Sequence, residues 1–592
     1  MLDDVQLQGR HRVRLDRSRD ALLPPSGRAI LAERCLLPGE DYQDLFARVA
    51  SYYGDDGAHA QRLYDYMSRL WFLPAMPVLS NGGTARGMPV SCYLNEAADS
   101  LDGIVGLWNE NVRLASTGGG IGSYWGNLRS AGERVGLDRE TSGVIPFIRV
   151  MDSLVLAISP GAAGPGAAAV YLPISHPEVE EFIELRRPAG GDSNRKAVNL
   201  HHGILVSDAF MRAVDADEPW ALTSPKSGAV VRQVSARSLW NRILTVRIET
   251  GEPYLVFSDT VNNARPEHQK LAGLEVKASS LCSAVTLPTG VDQHGRQRTA
   301  VCCMASLNLE SWLEWKDHPL LIEDVMRFLD NVLQDFIDRA PEGMERAKYS
   351  ASRERSVGLG VMGFHSFLQS QGVPFEGVVA KVWNKRIFKH IRAQADQASR
   401  MLAEERGPCP DAEEYGATER FSNKLALPST ASTSTIAGTS PGIEPGANLV
   451  LHDTPAGPEV RNPHLRRLLA AKGLDTESVW SAIAHRGGSV QHLEHLTAQE
   501  RALYRTAGEL DQRWVVEHAA DRTPFVCQSQ SVTLSLPNDG SPQDLHQLHH
   551  MAWRRGVKSL HHCHGIAARQ GAGVGLDRPG TIGNAERAVV TN

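Results

Sequence analysis

The sequence predicts an α/β protein with a parallel core behind a helical N-terminal region, and three observations carry that reading. Residues 41–75, "DYQDLFARVASYYGDDGAHAQRLYDYMSRLWFLPA", place apolar side chains at helical spacing. Strand-like runs such as "GILVSDAF", "PYLVFSD" and "AVTLPT" then alternate with helical stretches such as "IEDVMRFLDNVLQDFIDRA", the pattern of a parallel sheet covered by helices. The 592 residues are 42% hydrophobic, which suffices for a large buried core.

Taken in order, residues 1–75 form the helical region, 76–564 the α/β core, and 565–592 an aperiodic tail expected to be flexible. Two loop signals interrupt the core: "SPGAAGPGAAAV" (159–170) and "LPSTASTSTIAGTSPGIEPG" (427–446). Each lies between patterned segments, so both read as site loops of one large domain. The polar opening "MLDDVQLQGRHRVRLDRSRD" is no secretory signal, and no apolar run could span a bilayer. A cytoplasmic location is expected, with no membrane partner. The net charge of −6 and scattered Lys and Arg give no footprint for nucleic acid.

Eight cysteines, at 35, 92, 282, 302, 303, 409, 527 and 563, include no CxxC pair, so neither a zinc ribbon nor a thioredoxin-type motif is supported. Cys92, Cys282, Cys302 and Cys303 all sit in strand-like contexts, where a cysteine is most often a small hydrophobe. "STGGGIGSYWGNLR" (116–129) allows close backbone approach to a ligand or serves as a plain turn. "PSTASTS" (428–434) presents hydroxyl and N–H donors suited to an anion, or is a solvated loop.

The motifs together resemble the large catalytic subunit of class I ribonucleotide reductases. They are, in order, "LPAMPVLSNGGTARGMPVSCYLNEAADSLDGIVGLWNENVRLASTGGGIGSYWGNLR", "LEVKASSLCSAVTLPTG", "RTAVCCMASLNLE", "GTSPGIEP" and "QSQSVTL". The resemblance spans roughly residues 10 to 565 and implies a ten-stranded α/β barrel of two antiparallel five-stranded parallel halves around a central finger loop. It also assigns roles. Cys282 becomes the thiyl radical that takes the 3′ hydrogen of a ribonucleotide, and Cys92 and Cys302 form the reducing pair. Gly118, Gly119, Gly120 and Ser91 line the substrate cradle, with Met76 at a substrate-contacting position. Ser429, Thr430, Ala431, Ser432 and Thr433 hold the diphosphate, and Asp99, Ser100, Leu101 and Arg129 form an effector-nucleotide site at a homodimer interface. No cofactor is expected on this chain. The radical comes from a dimetal small subunit or, alternatively, from adenosylcobalamin.

Several positions leave the family pattern. Asn-x-Cys-x-Glu on the finger loop reads Ser280-x-Cys282-x-Ala284, which removes a general base typically worth about 10² to 10⁴ in rate. The Tyr-Tyr pair that passes the radical inward is His561-His562, and imidazole is harder to oxidise than phenol. "HHCH" offers metal-ligand types, but adjacent residues seldom converge on one ion, so no metal site is assigned. Residues 159–170 lack the family's base-reading arginines, no cysteine follows Cys563 to re-reduce the site, and overall dATP inhibition is not expected. The expected function is a radical oxidoreductase acting on the ribose of a nucleotide with an altered outcome. The alternatives are ordinary ribonucleoside-diphosphate reduction and a non-catalytic nucleotide-binding regulator.

Overall fold

A computed structural model describes residues 10–135, 139–158, 167–187, 191–452, 459–536 and 541–564. Most of the 159–170 loop and the whole 565–592 tail lie outside the described residues. The N-terminal region forms helices α1 (Pro25–Arg34), α2 (Tyr42–Tyr53) and α3 (Gly57–Ser68). Asp41 starts α2 with a reciprocal capping box to Asp44, which satisfies amides that the first turn leaves unpaired. Leu45, Phe46, Val49 and Tyr53 then line its buried face. The 41–75 segment is helical only through Ser68, because Phe72–Pro74 extends into strand β1.

The rest of the frame follows as α4 (Met76–Asn81), β2 (Cys92–Glu96), α5 (Leu101–Ser116), β3 (Gly120–Tyr124), α6 (Ile145–Ile158), β4 (Ala168–Pro173), β5 (His201–Val206), β6 (Tyr254–Phe257), β7 (Ala300–Asn308), α7 (Leu321–Arg339), β8 (Val357–Met362), α8 (Ala431–Ala437) and β9 (Ser559–Leu560). Strands β2, β3, β4, β5 and β6 pair in that order, all parallel. At one edge β7 joins β2 antiparallel and carries β8 parallel to itself; at the other, β9 joins β6 antiparallel. Isolated parallel bridges Leu359↔Leu425 and Leu427↔Gln530 extend the sheet beyond β8. Leu534–Ser535 runs parallel to Cys563–His564, which follow directly on β9. The sheet therefore curls so that its two edges approach through the 425–427 and 528–535 segments.

The strands are apolar on both faces, as a parallel sheet buried on both sides requires. Alternation along each strand divides them. Tyr93, Ile121, Val170, Leu172, Ile204, Val206, Leu255, Phe257, Val301, Cys303 and Leu307 face outward into the main core beneath the helices. Facing inward are Cys92, Leu94, Ala300, Cys302 and Met304 in one cluster and Tyr124, Ala169, Tyr171, Leu205, Tyr254 and Val256 in another. α7 closes the outer layer, and its buried Asp335 accepts hydrogen bonds at 2.9 Å from both Tyr52 and Tyr53 of α2, which fixes the N-terminal helices to the core. No described helix is long and apolar enough to cross a membrane.

Residues 276–287 thread between the two inner clusters. Val276, Ala278 and Leu281 pack in one and Val285 and Leu287 in the other. "AVTLPT" was expected as a strand, but its one pairing is a single bridge from Thr289 to Glu275. It is a loop whose apolar character comes from lining a buried interior. The approach is close enough to require glycine at 122, where an added Cβ would lie 2.1 Å from the Ser279 carbonyl oxygen. Gly122→Ala is therefore expected to destabilise the protein by about 1–3 kcal/mol through overpacking, read as a lower calorimetric unfolding temperature. An unchanged midpoint would show that the loop does not press on β3.

Candidate active site

Register brings the thiols together. Cys92 and Cys302 are direct partners across the antiparallel β2–β7 pair, and such partners have Cβ atoms about 4.5–5.5 Å apart. Both side chains face the interior, whereas Cys303 faces the outer core. Cys282, at the tip of the threaded loop, is hydrogen-bonded to Cys92 and lies 3.3 Å from Ser280 Oγ. All eight cysteines are free thiols.

The three thiols differ electrostatically. The Cys92 hydrogen bond, opposed by burial and assisted by Ser280, lowers the Cys282 thiol to about 6. Cys92 is held well above the ordinary thiol value by that same bond and by burial, and Cys302 is raised by burial and by neighbouring Cys303. The strongest influences on Cys282 are a thiol, a hydroxyl and backbone N–H groups, with no carboxylate among them. Ala284 is fully buried and contributes only backbone groups: its N–H favours the Cys282 thiolate, and its carbonyl accepts the Ser529 N–H at 2.9 Å.

Serines hold the loop. Ser280 Oγ accepts the Val285 N–H (3.1 Å), Ser280 N donates to Val285 O (2.9 Å), and Ser283 takes a left-handed φ of 56° at the turn. Ser559 Oγ donates to Ser283 O (2.9 Å), and Tyr171 OH pairs with Ser279 Oγ (2.7 Å). His561 reaches the same loop, its Nε2 3.2 Å from Leu281 O.

Around the thiols, Gly118 ends α5 with a φ of 81° and Gly119 packs on the Tyr93 ring. Gly120, across from Cys92, faces Leu281 of the loop. Ser91 Oγ is buried beside Cys92 without a hydrogen-bond partner, an orphan that a bound polar group would satisfy. Met76 begins α4 half-buried, directly after Ala75, which packs on the Cys92–Cys302 cluster. Thr430, in a left-handed conformation, starts the short helix α8, whose N-terminus no side chain caps. Ser429 precedes it, Ala431 and Ser432 open the helix, and Thr433 Oγ1 donates to Thr430 O at 3.2 Å. This segment leaves the interior directly after Ala426, which packs with Cys92 and Cys302.

The structure does not bring Asp99, Ser100, Leu101 and Arg129 to the thiols. They lie past the opposite ends of β2 and β3, where Arg129 Nη2 is 2.7 Å from Asp99 Oδ2, Ser100 caps α5 and Leu101 is 69% exposed.

Sequence reasoning missed the surroundings of His562. Tyr254 OH lies 3.2 Å from His562 Nε2 and 3.0 Å from His201 Nδ1, and His201 Nδ1 is 2.5 Å from Glu252 Oε1. These residues come from three distant segments and carry no motif. His201, Glu252 and His562 bring metal-ligand atoms within 4.8 Å of one another. However, Arg186 Nη1 stands 3.4 Å from Glu252 Oε1 and 3.2 Å from His201 Nδ1. Burial opposes ionisation of Glu252, but Arg186 and His201 hold its carboxyl well below the usual range. A guanidinium and a phenol thus occupy the polar atoms of the trio, which reads as a hydrogen-bond network.

Comparison with known proteins gives concordant matches. "Ribonucleotide reductase, all-alpha domain" matches residues 22–87, and "Ribonucleotide reductase, barrel domain" matches 90–419 and 411–562. A putative ribonucleoside-diphosphate reductase large subunit of Frog virus 3 (isolate Goorha) is 40% identical, over 90% of this chain and 93% of its own. The ribonucleoside-diphosphate reductase large subunit of Invertebrate iridescent virus 3 is 38% identical, over 93% and 95%. Among solved structures, the Actinobacillus ureae class Id ribonucleotide reductase alpha subunit superposes with a TM-score of 0.81 at 30% identity, covering 94% of this chain and 99% of that one.

Thiolate is the nucleophilic form of cysteine, so alkylation reports the Cys282 environment. Its rate with iodoacetamide, followed by peptide mass spectrometry, is expected to rise with pH and level off, with a midpoint below the ordinary thiol range. Removing either hydrogen-bond partner, in Cys92→Ala or Ser280→Ala, is expected to move that midpoint upward. A Cys282 midpoint in the ordinary thiol range in the unaltered protein would contradict the site geometry.

Proposed function

The chain belongs to the ribonucleotide reductase family as a class I large subunit, an oxidoreductase, and from that premise we propose that it starts radical chemistry at Cys282 on the ribose of a nucleotide and ends in an altered product. The observation that carries this reading is the convergence of three thiols around a position, Ala284, that has no proton acceptor. In this scheme a separate small subunit supplies the oxidising equivalent. A Cys282 thiyl radical takes the 3′ hydrogen, and Cys92 and Cys302 stand ready to give two electrons by closing to a disulfide. With no carboxylate to take the 3′-hydroxyl proton, the substrate radical is diverted from reduction at C2′ toward epimerisation, elimination or deoxygenation at another carbon.

The binding roles follow. Gly118–Gly120, Ser91 and Met76 face the sugar and base, and Ser429–Thr433 take the phosphates at the α8 N-terminus. Asp99–Leu101 and Arg129 form the effector site. Exposed Leu101, Val105, Val150 and Leu156 on α5 and α6 support a homodimer there, since such an apolar face marks an interface. A competing reading, ordinary ribonucleoside-diphosphate reduction, is favoured by the names of the viral relatives.

Two measurements test the proposal. With a radical-loaded class I small subunit and dithiothreitol, conversion of labelled CDP, ADP, GDP and UDP to 2′-deoxynucleotides is expected to run at least about 10²-fold below that of a typical family member, the low end of a lost general base. Robust deoxynucleotide formation would return the chain to the ordinary reductases. Titration with a nucleoside and its mono-, di- and triphosphates is expected to show affinity rising with phosphorylation and falling in Ser429→Ala/Thr430→Ala. Equal affinity across the series would refute the phosphate role of residues 429–433.

A further inference from the structure

We propose that Tyr254 is the redox relay of this chain, replacing the tyrosine pair absent at positions 561 and 562, with His562 as the acceptor of its proton. The inference rests on the proposed radical chemistry at Cys282, and its grounds are geometric. Tyr254 is buried, and its hydroxyl meets two imidazoles, His562 Nε2 at 3.2 Å and His201 Nδ1 at 3.0 Å. His201 Nδ1 is engaged by the Glu252 carboxylate at 2.5 Å. Arg186 Nη1 stands 3.2 Å from the same nitrogen, so His201 Nδ1 is already held between a carboxylate and a guanidinium. His562 Nε2 is the other imidazole nitrogen within reach of the phenol, and it takes the phenol proton. Burial and the neighbouring His561 hold His562 well below the ordinary histidine range, which keeps it neutral and able to accept.

The path to the thiol is short in covalent and packing terms. The Tyr254 ring lies 4.6 Å from the His561 ring, and His561 contacts the Leu281 carbonyl, one residue from Cys282. Tyr254 and Leu281 pack in the same inner cluster. The His562 side chain is 26% exposed, so the network is open to solvent at that end. A phenol paired with a base loses an electron and a proton together, which neither imidazole offers as readily.

The steps balance. An electron leaves Tyr254 and reduces the small subunit's one-electron oxidant, while the O–H bond breaks and its proton passes to His562 Nε2. The neutral phenoxyl then takes an electron from the Cys282 thiolate and its proton back from His562, which restores Tyr254 and leaves the thiyl radical. On return the thiyl radical takes an electron from Tyr254, whose proton passes to His562; the small subunit's reduced centre then returns an electron and His562 the proton, which restores Tyr254 and the oxidant.

The test places 3-aminotyrosine, a more easily oxidised phenol, at position 254 of the full chain. The protein is mixed with a radical-loaded class I small subunit and CDP and followed by electron paramagnetic resonance. The expected result is an aminotyrosyl signal that grows as the small-subunit radical declines, and no such signal with aminotyrosine at the control position 171. Loss of the small-subunit radical without a signal at 254, or no reaction of either radical, would overturn the relay. Tyr254→Phe is expected to lose nucleotide consumption to background while CDP binding is unchanged and the circular dichroism spectrum remains that of the folded protein. Unchanged consumption would overturn the relay and leave the Cys282 chemistry standing. If the unaltered chain consumes no nucleotide, the Cys282 reading fails on its own, and the signal at 254 still decides whether Tyr254 is oxidised.

Discussion

Everything at this site depends on burying a stretch of irregular backbone inside a curled sheet. A buried backbone group left unpaired costs about 1–3 kcal/mol, so residues 279–285 must find partners where no ladder exists. They do so through hydroxyls and imidazole. Ser279 pairs with Tyr171, Ser280 with Val285, Ser283 O with Ser559, Ala284 O with Ser529 N and Leu281 O with His561. The Ser280–Val285 bond closes the loop on itself, and the others anchor it to β4 at Tyr171, to Ser529 and to the 559–561 segment. Together they fix the Cys282 sulfur beside Cys92 and leave the loop no room to slide.

Viewed this way, the departures from the family pattern are parts of one arrangement. Ser280 serves its own loop, accepting the Val285 N–H and touching Cys282. His561 spends one nitrogen on the loop carbonyl and places the other 3.3 Å from Ser531 Oγ. His562 turns instead to Tyr254. Two of the altered positions, Ser280 and His561, have become supports for the loop, and Tyr254 stands with His562 in a network of its own. Low thiol pKa and absence of a carboxylate go together as well, because a negative neighbour would raise Cys282.

The fold was legible wherever periodicity alone decides. The capped amphipathic helices at 42–53 and 57–68, the amphipathic helix at 321–339 and the apolar strands at 203–206 and 254–257 follow from local pattern. "AVTLPT" misled because an apolar run lining a barrel interior looks the same as one in a ladder. Which of Cys302 and Cys303 faces the interior is a matter of register, and adjacent cysteines carry no signal of it; only the resemblance selected Cys302. His201, Glu252 and Tyr254 were invisible for another reason: their meaning lies in contacts across 51 and 308 residues of chain, and no spacing rule spans those.

The central claim is that Cys282 takes hydrogen from C3′ of a nucleotide and that the resulting radical does not proceed to ordinary reduction. Its most direct test is the consumption of a ribonucleoside diphosphate deuterated at C3′ by the chain with its small subunit, with the product identified by mass spectrometry and NMR. The account predicts slower consumption of the deuterated nucleotide and a product other than the 2′-deoxynucleotide. Consumption at equal rates for the two isotopologues would contradict abstraction by the thiyl radical.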